Sequence, residues 1–170
     1  MPITPLIEMN LRWLHQASQL LSRLDDASYA TTPPGFAPHR AGGHLRHIID
    51  FYDSFLHGLE SGRIDYDARL RDERTATDRA VATIRMQRIA TELRQINRDR
   101  NLLVRIEGAE PGEDCWMTSS LARELQTLSS HTIHHFALIA MTLRAHGVDL
   151  DPAFGMAPST LRHMAREKAA

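Results

Sequence analysis

Residues 119–140 read SSLARELQTLSSHTIHHFALIA. Leu121, Leu125, Leu128, Thr132, His135 and Ile139 recur at spacings of three and four, with Phe136 and Leu143 beside them. At about 100° per residue these positions share one face of a helix. Ser119 or Ser120 offers an N-terminal cap, and Gly147 follows Ala145 as a stop, so a helix is predicted from about 119 or 120 to 145. His131 and His135 stand one turn apart on it.

Three more segments carry the same period. About 5–25 presents Leu6, Met9, Trp13, Ala17, Leu20, Leu21 and Leu24. Asp25 and Asp26 oppose the dipole of a helix C-terminus, so the helix is expected to end near them, with 28–38 (SYATTPPGFAP) as a loop. About 43–59 presents Leu45, Ile48, Ile49, Tyr52, Phe55, Leu56 and Leu59, with Gly58, Ser61 and Gly62 marking its exit. About 77–97 presents a rougher stripe of Ala80, Val81, Ile84, Ile89, Leu93 and Ile96 amid many charges. Between the second and third segments, 63–74 (RIDYDARLRDER) reads either as a solvated connection or as a loop presenting Tyr66, Asp67, Arg69 and Arg71 inward. Before the last long segment, LLVRI, GAEPGED and CWMT fit a small hairpin over 102–118. After Pro152 a brief last helix is expected from Pro158. Helices about 25–40 Å long, with no large sheet to cover, pack as a bundle. The expectation is therefore an all-α, four-helix-bundle domain over 1–170 with a small hairpin or irregular insertion.

The 170 residues suffice for a core, and 42% hydrophobic with 24% charged residues excludes disorder as the main state. Twenty basic against twenty-one acidic residues give a net charge of −1, without the basic field of a nucleic-acid binder. The longest apolar run, Phe136 to Met141, is far below the roughly 20 residues that cross a bilayer. No long apolar block follows Arg12, the first basic residue, so no secretory leader is expected and a cytoplasmic location is. The single Cys115 excludes an internal disulfide and a cysteine-rich zinc site, and beside Trp116 it reads as a passive small residue.

Ten histidines remain to be placed. Helical stacking lets His131 and His135 reach one ion, and His47 is a third candidate beside the apolar Ile48. Imidazole suits Zn, Ni or Fe, and three protein nitrogens leave a coordination position open, the form of a catalytic site. Hydrogen-bonded core histidines are the competing explanation. In level, parallel helices His47 would lie about 6 Å along one, and His131 and His135 about 17–24 Å along the other, so their meeting tests the idea. His44 is an alternative fourth ligand or supporting group, and His134 an alternative to His135. Asp50, three after His47, is either the acceptor of an imidazole N–H or an ordinary surface acid. Asp50, His44 and His134 are the candidate bases. His15, His39, His57, His146 and His163 read as surface or boundary residues. HTIHH lacks the Glu base of the zincin frames, and no Glu stands three before a His as in di-iron bundles. P-loop, G-x-G-x-x-G and G-x-S-x-G patterns are also missing.

The runs GGHLRHIIDFYDSFL, IDYDARLRD and SSLARELQTLSSHTIHHFALIA resemble the DinB-like (YfiT-like) metalloenzyme family, and FGMAPSTLR resembles the ending of an uncharacterised branch of it. The resemblance covers roughly 5–162. It implies a four-helix bundle of variant up-and-down topology and one divalent metal on His47, His131 and His135. The bundle of ergothioneine-type sulfoxide synthases is similar in layout. Relatives with assigned reactions include thiol transferases and isomerases that use mycothiol or bacillithiol, so a small-molecule substrate, a thiol among the options, and a homodimer are expected. Tyr66, Asp67, Arg69, Arg123, Glu124 and the APST ending depart from those transferases, which leaves the substrate open between thiol transfer and hydrolysis. For Glu124 an ion pair with Arg69 or Arg71 competes with substrate contact. A non-catalytic metal-binding or stress-response module is the alternative to an enzyme.

Overall fold

The computed structural model describes residues 3–110 and 112–167. Its elements run α1 (Thr4–Leu21), α2 (Asp26–Ala30), α3 (Ala41–Ser61), β1 (Arg63–Ile64), α4 (Glu73–Thr77), α5 (Arg79–Gln95), β2 (Asn101–Arg105), β3 (Trp116–Ser120), α6 (Leu121–Ala145) and α7 (Pro158–Glu167). The protein is mostly helical. The long helix α3 lies against α5 and α6, and α1 lies against the same two. One apolar cluster fills the space among them, drawing Trp13, Leu14 and Leu21 from α1, Ile48, Ile49 and Phe55 from α3, Met86, Ile89 and Leu93 from α5, and Leu125, Phe136 and Leu143 from α6. No helix among the described residues is long and apolar enough to cross a membrane.

The all-α expectation needs correction. The hairpin forms, with β2 and β3 antiparallel from Asn101↔Ser120 to Arg105↔Trp116, but it is two strands of a three-stranded sheet. The outer strand β1 pairs parallel to β2, Arg63 opposite Leu103. Gly62, at φ +75°, ends α3 in the left-handed conformation and turns the chain along β2, where Leu103 N–H donates to its carbonyl at 2.9 Å. A two-residue strand carries no period to read. The helix exit is thus Gly62; Gly58 lies inside α3, packed on β1.

Aspartates explain two more departures. Asp25 does not end α1 but caps the short helix α2, accepting from Ser28 N–H at 2.7 Å, so part of the expected loop is helical. Asp72 likewise caps α4 and Asp78 caps α5. The stripe of α5 matches the expected one at Ile89 and Leu93 but departs from it in the first half of the helix. Ala82, Met86, Ile89 and Leu93 are buried, whereas Ile84 is 66% exposed. In so charged a helix the spacing fits two faces, and Met86 selects the real one. On α6, Ser120 is the cap, accepting from Arg123 N–H at 3.1 Å.

Candidate metal centre

Packing of α3 against α6 sets the site. Burial of Leu45, Ile48, Ile49 and Tyr52 on α3 leaves His47 and Phe51 half-buried on its flank, and burial of Leu128 and Thr132 on α6 does the same for His131 and His135. A polar clamp fixes the facing turns. Tyr52 O–H donates to Asn10 Oδ1 at 2.6 Å, and Asn10 Nδ2 donates to the carbonyls of Leu6 and Leu125 at 2.8 and 3.1 Å. The Tyr52 and Thr132 hydroxyls lie 3.3 Å apart, and Trp13 Nε1–H donates to Ser129 Oγ at 2.8 Å. These buried bonds tie α1, α3 and α6 within a turn of the histidines.

His47, His131 and His135 each direct one ring nitrogen into a common space, the three nitrogens lying within 4.8 Å of one another. Ring centroids are 4.9 Å apart for His47–His131, 4.6 Å for His47–His135 and 4.5 Å for His131–His135. A cation bound at about 2.1 Å to each of three tetrahedral nitrogens would set them about 3.4 Å apart, so small side-chain rotations would close the cluster on an ion. Nδ1 of His131 is buried and has no hydrogen-bond partner among the described residues. A buried polar atom left without a partner is costly; Gln16 Oε1, Arg46 Nε and Arg69 Nε share that state. Burial first, then Arg69 for His47 and neighbouring imidazoles for His131 and His135, pushes the three down to about 4, about 4 and about 3. All three are therefore neutral at pH 7, the form that offers a lone pair to a cation. The donor set and the orphaned nitrogen fit a divalent ion.

Phe51 roofs the cluster. Its ring stacks on His131 at 4.1 Å and on Tyr66 at 4.9 Å, and the Arg69 guanidinium sits 5.1 Å from its centroid. Phe51 was missed in the sequence, although its place one turn after His47 was the available signal. Tyr66 and Arg69 thus face inward, as one of the two readings of that run had it, while Asp67 and Arg71 are exposed.

The remaining candidates separate. His44 Nδ1 lies 3.1 Å from His135 Nδ1, and His39 stacks on His44 at 5.3 Å. His134 is exposed, its ring 5.2 Å from that of His135. Asp50 is no surface acid: it is 2% exposed, and its carboxylate accepts from Arg85 Nη2 at 2.9 Å, with Arg46 Nε at 3.8 Å, rather than from an imidazole. Burial raises its pKa and Arg85 opposes the rise. Of the two alternatives for Glu124, the ion pair with Arg69 or Arg71 does not form. Its carboxylate accepts from Tyr66 O–H at 2.9 Å and Ser119 O–H at 2.5 Å, with no arginine among its hydrogen-bond partners in the described residues. Cys115 is half-buried with Glu113 at 3.7 Å.

A family model described as DinB superfamily matches residues 11–139 of the chain. A protein of Rhizopus delemar named FK506-binding protein 5 is 32% identical over 108 residues, 61% of this chain and 28% of that protein. The chain thus aligns with little more than a quarter of that relative's length.

Proposed function

The chain belongs to the DinB superfamily, and from that premise we propose that it holds one divalent cation, Zn, Ni or Fe, on His47, His131 and His135 and acts as a metal-dependent enzyme on a small molecule. The observation that carries the reading is the cluster of three neutral imidazoles, one with a buried nitrogen that no group among the described residues satisfies. In this reading the four long helices form the variant up-and-down bundle of the family, as one domain in a cytoplasmic homodimer. A divalent cation there supplies Lewis acidity toward a water or a thiol. Three protein donors leave a position for either, so thiol transfer and hydrolysis are the two reaction classes. Phe51 and Tyr66 would keep bulk water from the His131 side. His44, held neutral by burial, and the exposed His134 are the bases beside His135. Asp50 is set aside as a base because Arg85 occupies its carboxylate.

The test is metal content by mass spectrometry on tag-free protein, beside His47→Ala and His131→Ala. About one equivalent in the parent protein, lost from both variants, is expected. A folded parent protein that carries no metal and takes up none on titration would sink the reading. One observation favours a second reading. His44 lies close enough to His135 to act as a fourth nitrogen donor, and a site closed by four imidazoles would suit a non-catalytic metal-binding or stress-response module. Cobalt substitution separates the two. An open site changes its visible spectrum on adding a thiol, and a closed one does not.

A further inference from the structure

Beside the histidines, between α6 and the small sheet, lies a cavity of about 390 Å³. Phe51, Val104 and Met117 give it apolar walls, and Tyr66, Glu124 and Thr127 give it polar ones. Phe51 belongs to both places, because the ring that lines the cavity also stacks on His131.

The decisive group is Glu124. It is 6% exposed, yet among the described residues only two neutral hydroxyls, those of Tyr66 and Ser119, bond its carboxylate. The arginines nearby are engaged elsewhere. Arg69 bonds the Tyr66 carbonyl and pairs with Asp67; Arg105 pairs with Asp65 and bonds the carbonyls of Ala109 and Glu110; Arg123 bonds Thr127 Oγ1. Among the described residues no cation pairs with Glu124. A carboxylate has about four lone-pair positions, of which the two hydroxyls fill two. A buried charge without a countercharge is costly in the empty protein and attractive to a cation that brings its own donors. Of the other charged residues lining the cavity, Arg105 pairs with Asp65 and Asp67 with Arg69, which leaves Glu124 and Glu107 against Arg123, a field that is negative by one charge.

We propose that this cavity binds a primary ammonium group carried on a short apolar chain, with the ammonium donating to Glu124 and the chain lying against Val104, Met117 and Phe51. That such an amine is the substrate of the metal centre rests on the reading above; that the cavity binds amines does not.

The experiment therefore uses metal-stripped full-length protein with ¹³C-methyl methionine, following the Met117 methyl resonance. Hexylamine, 1-hexanol and hexanoate are the probes. Hexylamine should shift the resonance saturably, with an affinity about tenfold or more above that of hexanol, as a charge-assisted bond to a buried carboxylate requires. Hexanoate should bind more weakly than either. Glu124→Gln, which keeps the shape, should abolish the preference for the amine. Equal or tighter binding of the alcohol or the acid by the parent protein overturns the proposal, as does a preference that survives in Glu124→Gln. Because the comparison among ligands is made in the parent protein, a poorly folding variant does not remove the test. Because no metal is present, its failure leaves the three-histidine reading untouched, and the reverse holds.

Discussion

A single proton links His44 to His135. Their Nδ1 atoms are 3.1 Å apart, so one must donate and the other accept. If His135 is the donor, its Nδ1 carries the proton and its Nε2 lone pair is free for an ion, with His44 in the role that carboxylates or carbonyls fill beside many metal-bound histidines. His44 is then a positioning residue. His44→Ala should lower zinc affinity about 10–100-fold, read by competition with a chromophoric chelator, while His134→Ala leaves it unchanged. His44→Gln, which retains an acceptor, should recover part of the loss. Equal affinity in His44→Ala and the parent protein would remove His44 from the site. The convergence of His47, His131 and His135 was legible in the sequence because side chains on helices obey helical spacing, and an HxxxH pair on the most apolar helix declares its own face. Asp50 and Glu124 were not legible in this way. Arg85 is 35 residues from Asp50 and Tyr66 is 58 from Glu124. Which charge a buried acid meets is decided by the packing of other elements, on which local period is silent.

Close backbone approaches hold the elements that carry these residues. A Cβ on Gly58 would lie 2.6 Å from the Arg63 carbonyl oxygen and 2.7 Å from Ile64 Cγ1, and Ile64 is fully buried. The strand β1 can therefore rest on α3 only where α3 has a glycine, and Tyr66 follows β1 by two residues. Gly58→Ala should destabilise the protein by about 1–3 kcal/mol in urea melts through overpacking. Gly43→Ala, in the first turn of the same helix, meets only the flexible Arg40 side chain at 3.4 Å and should be neutral or slightly stabilising through helix propensity. Similar losses in both variants would mean that helix propensity, not the contact with β1, governs Gly58. The second link is Arg85 of α5, which bonds Asp50 at 2.9 Å and Asp53 at 2.5 Å on α3. Removing it leaves Asp50, with a side chain 1% exposed, buried beside only the distant Arg46, so Arg85→Met should cost about 3–5 kcal/mol by the same measurement. Adding Asp50→Asn to that background should recover stability, because the uncompensated charge is gone; no recovery would mean that Arg85 acts mainly through Asp53 and through Thr75, whose hydroxyl oxygen accepts from Arg85 Nη1 at 2.6 Å. At this scale the long helices were legible from their stripes, whereas α2, α4 and β1 were not. Five-residue helices and a two-residue strand are too short for periodicity, and the caps at Asp25 and Asp72 were the readable signals.

For the molecule as a whole, an ion held between α3 and α6 would join two helices whose histidines stand 84 and 88 residues apart in sequence, as the numbers of His47, His131 and His135 show. An unfolded chain does not hold the three rings together, so binding free energy becomes folding free energy. Free zinc at a hundred times its dissociation constant should add about 2.7 kcal/mol, which for a chain of this size is about 5–10 °C in the melting temperature. The shift should vanish in His47→Ala; its persistence there would place the zinc elsewhere. Protons act in the opposite sense on the metal-free protein. Burial holds the three imidazoles at about 4, about 4 and about 3, below the 6.5 of an unfolded histidine. As the pH falls below about 6.5, the unfolded chain takes up protons that the folded one refuses, and stability declines until the folded values are passed. The rings are half-open to solvent, which makes the loss smaller than the shifts alone would give. In EDTA, the urea midpoint should therefore fall between pH 7.5 and 4.5, and fall less in His131→Ala. A parent midpoint as flat as the variant's would mean that the cluster is already protonated or solvated without metal. The three rings would then have no reason to stand ready as neutral donors, and the metal reading would lose its electrostatic support.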